Sequence, residues 1–279
     1  GTISNPEIQK IQGELAPKLA AHSDNINLNP KLFARIKAIY DARATLGLDE
    51  AATRLVEDRY TGFVRAGALL TEEQKNQIRA LNEEQSKLTN KYQQNLMKIT
   101  KDIAVFVDKK EDLAGLSDAE IAAAAEGAKA RGQEGKFIIE LTNTTRQPVL
   151  AQLENRELRQ KIWEASANRG TSGETDQQPI VARLAQLRAE RAKLLGFNSW
   201  ADYQLDNTMA KTPKAVYDML GSMVPAVVAN TNNEAAAIQA MIKETGGDFE
   251  LQPWDWEFYA EKVRKAKFDL DENEVRQYF

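Results

Sequence analysis

Helix punctuation recurs along almost the whole of this chain and narrows its fold more than any other feature. Asn29-Pro30 reads as an N-cap followed by proline at the first helical position, and Gly47 marks the end. Between them Leu32, Phe33, Ile36, Ile39, Tyr40 and Leu46 form an apolar stripe with helical period. Asp49 opens a second helix that turns Leu55, Val56, Tyr60, Phe63 and Val64 inward and stops at Gly67. Thr71 and Gln74 form a capping box for a long helix. Its stripe of Ile78, Leu81, Leu88, Tyr92, Leu96 and Ile99 advances in helical steps.

The period then changes. Ile103 to Val107 and Phe137 to Leu141 are β-branched and aromatic runs bounded by charged or glycine-containing turns, which predicts two short antiparallel strands. Ser117 and Glu120 cap an alanine-rich helix between them that ends near Gly132. Helical spacing resumes at Val149, Leu150, Leu153, Leu158, Ile162 and Trp163, with one break near Asn155. Gly170 to Pro179 is the most linker-like stretch, and Gly196 closes the helix that follows it. Thr212-Pro213 caps a long helix running toward Gly246-Gly247, and losing that cap should cost about 1 kcal/mol. The expected fold class is mostly α, a multi-helix domain of roughly ten helices with a small inserted β-hairpin-like pair.

Composition removes most chemistry. The 279 residues include no cysteine and a single histidine, His22, so disulfides, thiolate nucleophiles and multi-histidine zinc sites are excluded. A formal net charge of −4 with interspersed signs argues against nucleic acid as a partner. No apolar run is long enough to span a membrane, and the opening "GTISNPEIQK" lacks the pattern of a signal peptide. His22 lies near Asp24 with no nucleophile motif around it and reads as a loop or capping residue. The acidic stretches "TDQQ" and "DLDENE" lack the glycine and terminal glutamate of a calcium loop, and Asp271 with Glu274 reads as a capping box. "GTSGE" lacks the lysine of a phosphate loop. No catalytic, cofactor-binding or metal-binding residue is assigned, and no cofactor is expected in this chain.

The closing segment, "LQPWDWEFYAEKVRKAKFDLDENEVRQYF", concentrates aromatic rings in a charged context. Trp254 and Phe258 recur at helical intervals after Pro253, with Trp256 and Tyr259 on an adjacent face. A helix apolar over so wide an arc calls for protein on more than one side. The expectation is a chain cut from a longer one, with this segment facing an absent second half.

This segment resembles the one that precedes the catalytic half of the thimet oligopeptidase family of zinc metallopeptidases. "AAHSDNINLNPKLFARIKAIYDAR", "LVEDRYTGFVRAGA", "TTRQPVLAQLENRELRQKIWEAS" and "LRAERAKLLGFNSWADYQLDNTMAKTP" are similar to family sequence as well, in the same order. The likeness runs over essentially the whole chain and is strongest toward the bacterial peptidyl-dipeptidase, or dipeptidyl carboxypeptidase, branch. Family members hold zinc with an H-E-x-x-H helix and a later glutamate; this sequence contains no H-E-x-x-H, so no ligand or base carries over. The resemblance therefore implies one half of a two-lobed peptidase. Residues 1–250 would be a helical amino-terminal lobe walling a substrate channel, and 251–279 would lead into the absent catalytic domain. Zinc would belong to the parent, with short peptides as its substrates and a bacterial cytoplasm or periplasm as its location. A free-standing helical interaction protein without chemistry is the alternative.

Overall fold

A computed structural model describes residues 5–268 and Tyr278. Eleven α-helices and one two-stranded antiparallel sheet are present among them. In chain order they are α1 (Pro6–Asn27), α2 (Pro30–Ala42), α3 (Glu50–Ala66), α4 (Glu72–Asp102), β1 (Val105–Val107), α5 (Asp118–Ala130), β2 (Phe137–Ile139) and α6 (Asn143–Gln152). They continue with α7 (Arg156–Ala167), α8 (Gln178–Leu194), α9 (Trp200–Leu205), α10 (Pro213–Glu244) and α11 (Trp256–Phe268). The mostly α class with an inserted strand pair is what the sequence patterning gives.

The chain folds back on itself into two compact units, each built from two separate stretches. The first comprises Gly1–Asn95 and Gln177–Tyr217; the second comprises Leu96–Asp176 and Asp218–Phe279.

In the first unit the caps set the helix starts. Asn29 Oδ1 accepts hydrogen bonds from the backbone N–H of Lys31 and Leu32, and Asp49 Oδ1 accepts from Ala52 N at 2.7 Å. Thr71 and Gln74 exchange side-chain and backbone bonds in both directions, the expected capping box. Gly67 adopts φ +110°, a left-handed conformation that ends α3 with little strain only for glycine. Phe33, Phe63 and Ala68 form the buried centre, with Ile36, Tyr60 and Val64 packed against it. Tyr40 stacks on Tyr60 with centroids 3.9 Å apart, and the Arg43 guanidinium caps the Tyr40 ring. Leu32, Ile39, Leu46 and Leu55 remain exposed, so the inward arc is narrower than the sequence stripe suggests.

Two corrections concern the start of the chain. The sequence reading assigns no helix before Pro30, yet α1 spans 22 residues. Asn5 caps it by accepting from Ile8 N at 2.8 Å, with Pro6 in the first turn; the internal Pro17 and a weak apolar stripe hide it from pattern reading. His22 is accordingly an exposed residue on a helix, not a loop or cap residue.

The second unit is centred on the sheet. Val105 pairs with Ile139 and Val107 with Phe137. Val105, Val107 and Ile139 enter a core with Leu113, Leu141, Leu150, Leu153 and Ile162. Ile138 alternates to the opposite side and meets α5 at Gly127, where an added Cβ would come 2.7 Å from its Cγ2. The small residues of α5 thus allow a helix to lie close on a two-stranded sheet. Ser117 and Glu120 form the expected capping box of α5, and Asn155 caps α7 at the expected break.

Some of the closing rings are taken up within this unit. Phe258 and Tyr259 are buried against Ile238 and Ile242, and Trp254 meets Trp163 edge-on at 6.1 Å. Trp256 is half-buried, and Phe268 and Tyr278 are 72% and 80% exposed, so the cover is partial. The expected cap at Asp271 and Glu274 lies outside the described residues.

Candidate functional site

Two polar constellations stand out, one in each unit. In the first unit Asp24 on α1 is buried and accepts from Asn82 Nδ2 of α4 at 2.7 Å. Arg191 of α8 donates to Asn82 Oδ1 at 3.1 Å, so the amide bridges a carboxylate and a guanidinium. Burial holds the Asp24 carboxyl above its ordinary pKa, against the lowering effect of the Asn82 bond and of Arg191 and Arg79. A cleft of about 450 Å³ opens here, lined by Asp24, Asn82, Ser86, Asn90, Gln93 and Arg191 among others. The four-residue step from Asn82 to Ser86 to Asn90 puts these side chains on one face of α4.

In the second unit the carboxylate of Asp255 is completely buried, and two arginines one helical turn apart on α7 grip it. Arg156 donates Nε and Nη2 to the two oxygens at 3.0 and 2.8 Å, the bidentate fork. Arg159, itself 1% exposed, donates Nη2 at 3.1 Å and spends its other donors on the carbonyls of Leu153, Glu154 and Trp254. Burial lowers the Arg159 pKa and the Asp255 pairing raises it. The guanidinium planes also lie near rings: Arg156 over Phe249 at 4.0 Å and Arg159 over Phe258 at 4.2 Å. Gln252 N closes the carboxylate's shell at 3.2 Å. This clamp fastens the Pro253–Asp255 turn, and through it the start of α11, onto α7.

Neither constellation sets a nucleophile beside a base. A smaller cleft between α5, β2 and α6 is lined mainly by alanine, isoleucine, proline and valine. Its two glutamates are engaged, Glu120 in the α5 cap and Glu140 with Arg131 at 2.7 Å. Among the described residues no group of three or more His, Cys, Asp or Glu side chains is placed to hold a metal ion. His22 stands on α1 without a second histidine anywhere in the sequence. The described residues therefore do not fit zinc.

The sequence reading overlooked both constellations. Arg156 and Arg159 show the three-residue spacing of a common helix face, and an aspartate inside an aromatic run signals a buried anion. Those two signals together point to the clamp.

Comparison with known proteins bears on the same residues. Peptidase family M3 matches residues 149–279, which include both arginines and Asp255. Dipeptidyl carboxypeptidase of Escherichia coli (strain K12) is 41% identical over 277 residues, 99% of this chain and 41% of the relative. The chain belongs to peptidase family M3. Among other relatives of this M3 chain, dipeptidyl carboxypeptidase of Salmonella typhimurium is also 41% identical over 277 residues. Oligopeptidase A of the same organism is 27% identical over 281 residues, again 99% of this chain and 41% of the relative. The M3 chain thus spans about two-fifths of the length of these curated relatives.

Proposed function

We propose that this M3 chain is the amino-terminal, non-catalytic part of a zinc metallopeptidase that releases dipeptides from the carboxyl end of short peptides. Residues 1–250 form a helical lobe that walls the substrate channel, and residues 251–279 lead into the catalytic domain. The observation that carries this reading is the 41% identity along 99% of the chain to two proteins named dipeptidyl carboxypeptidase. It is paired with a sequence that has one histidine and no H-E-x-x-H. The zinc ligands, the water-activating base and the groups that steady the intermediate belong to sequence outside these 279 residues. The contribution of this chain is steric: a wall that admits flexible peptides and shields the reacting bond from bulk water as the halves close.

The test compares the purified 279-residue chain with the longer polypeptide on an N-acylated tripeptide. Dipeptide release by the longer form, abolished by chelator and restored by zinc, with none from the 279-residue chain, supports the proposal. Chelator-sensitive cleavage by the 279-residue chain itself refutes it.

A further inference from the structure

Every residue of α10 from Tyr217 through Glu234 is exposed, about 27 Å of helix at 1.5 Å per residue. The stretch is amphipathic. Leu220, Val224 and Val227 stand at i, i+4 and i+7, with Met223 and Val228 flanking them, while Asp218, Ser222, Asn232 and Asn233 share the opposite side. Met219 and those five apolar residues are between 48% and 63% exposed.

Such a segment has poor means of holding itself helical. Gly221 costs about 1 kcal/mol and an internal proline, Pro225, about 3 kcal/mol relative to alanine, and the β-branched and asparagine residues that follow add little. Most helical stability comes from packing an apolar face, and among the described residues none buries this one. Farther along the same helix the stripe does have its cover: Ile238 and Ile242, in line with Leu220 and Val224, are buried against Phe258 and Tyr259. The bare stripe continues an interface that already exists.

We infer that the Leu220–Val224–Val227 face of α10 is the docking surface for the carboxy-terminal part of the same peptidase, which covers it with an apolar surface of its own. The inference rests on the reading that the chain belongs to a longer enzyme. One observation favours this occupant over a second copy. The relatives share 99% of this chain but extend over far more sequence, since the match accounts for 41% of their length, and the M3 match includes all of α10. Six half-exposed side chains offer on the order of 500 Å² of apolar area, toward the upper end of the largest patch a monomer exposes, and such patches are often functional.

The chain has no cysteine, so an introduced thiol is its sole labelling site. Val224→Cys, with Leu220→Cys as a second position, is treated with maleimide in the 279-residue chain and in the full-length polypeptide, and labelling is read by peptide mass spectrometry. Met209→Cys, at a fully exposed position, serves as the reference. In the 279-residue chain the Val224→Cys thiol should react as fast as the reference; in the full-length protein it should react at least tenfold more slowly. Equal rates in the two proteins overturn the inference. So does slow labelling of the 279-residue chain that accelerates on dilution, which identifies a second copy as the cover. Dipeptide release measured on the same samples separates the two readings. An active enzyme with a reactive Val224→Cys thiol removes the docking surface alone, and an inactive one with a shielded thiol removes the peptidase reading alone.

Discussion

Replacing Asp255 with asparagine should destabilise the second unit more than any other single polar change in it. The carboxylate is wholly buried and takes donors from Arg156, Arg159 and Gln252 N. Asparagine keeps the size and one acceptor but removes the charge and turns an amide toward guanidinium donors. Arg156 is about one-third exposed and can turn to water. Arg159 cannot; it retains three carbonyl acceptors but loses the anion it is paired with. Leaving one member of a buried pair uncompensated costs about 3–5 kcal/mol. Arg156→Ala leaves Asp255 paired with Arg159. Its loss should be about 1 kcal/mol for a partly exposed pair, with about 0.5–1 kcal/mol more for the guanidinium over Phe249. Urea unfolding followed by tryptophan fluorescence in a Trp200→Phe background measures this, because Trp163, Trp254 and Trp256 all lie in the second unit. A loss below about 1 kcal/mol for Asp255→Asn, or an equal loss for Arg156→Ala, would refute the ranking argued from burial.

Other expectations follow from single positions. Gly115 has φ +97° and an added Cβ would sit 2.0 Å from the Gln152 carbonyl oxygen, so Gly115→Ala should cost at least about 2 kcal/mol in a urea titration. Because burial raises the Asp24 pKa, the folded state holds that proton more tightly than the unfolded chain does. The resulting stability is full below the unfolded carboxylate value of about 3.9 and is lost as pH rises through the folded value. Asp24→Asn should flatten the melting temperature between about pH 4 and pH 7 relative to the parent chain, and parallel curves would count against the argument. Thr212 Oγ1 accepts from Ala215 N at 3.2 Å, so Thr212→Ala should lose about 1 kcal/mol by the same assay.

What was legible in the sequence was local. Asn29, Asp49, Thr71, Ser117 and Thr212 cap the helices they were expected to open, because a cap is satisfied by backbone groups two or three residues away. The strand pair was legible for the same reason, its two runs differing in period from everything around them. Tertiary choices were not. Leu32, Ile39 and Leu55 fit their stripes, but the stacked rings of α2 and α3 already fill the space between those helices. The closing aromatics read as a surface awaiting cover; Trp163, Ile238 and Ile242 cover Trp254, Phe258 and Tyr259 from far along the chain, while Phe268 stays exposed. The bare stripe of α10 is a further tertiary matter: only the fold reveals that, among the described residues, none buries it.

The clamp at Asp255 also sets an order of events during synthesis. Arg159 emerges from the ribosome 96 residues ahead of the aspartate that neutralises it, an interval of roughly 5–20 s at ordinary synthesis rates. Through that interval α7 carries a guanidinium with no counter-ion to be buried beside, so it should stay hydrated and its helix loosely seated. Only when the Pro253–Asp255 turn clears the exit tunnel can the growing chain close that unit, which makes a late three-residue turn the latch for a helix made long before it.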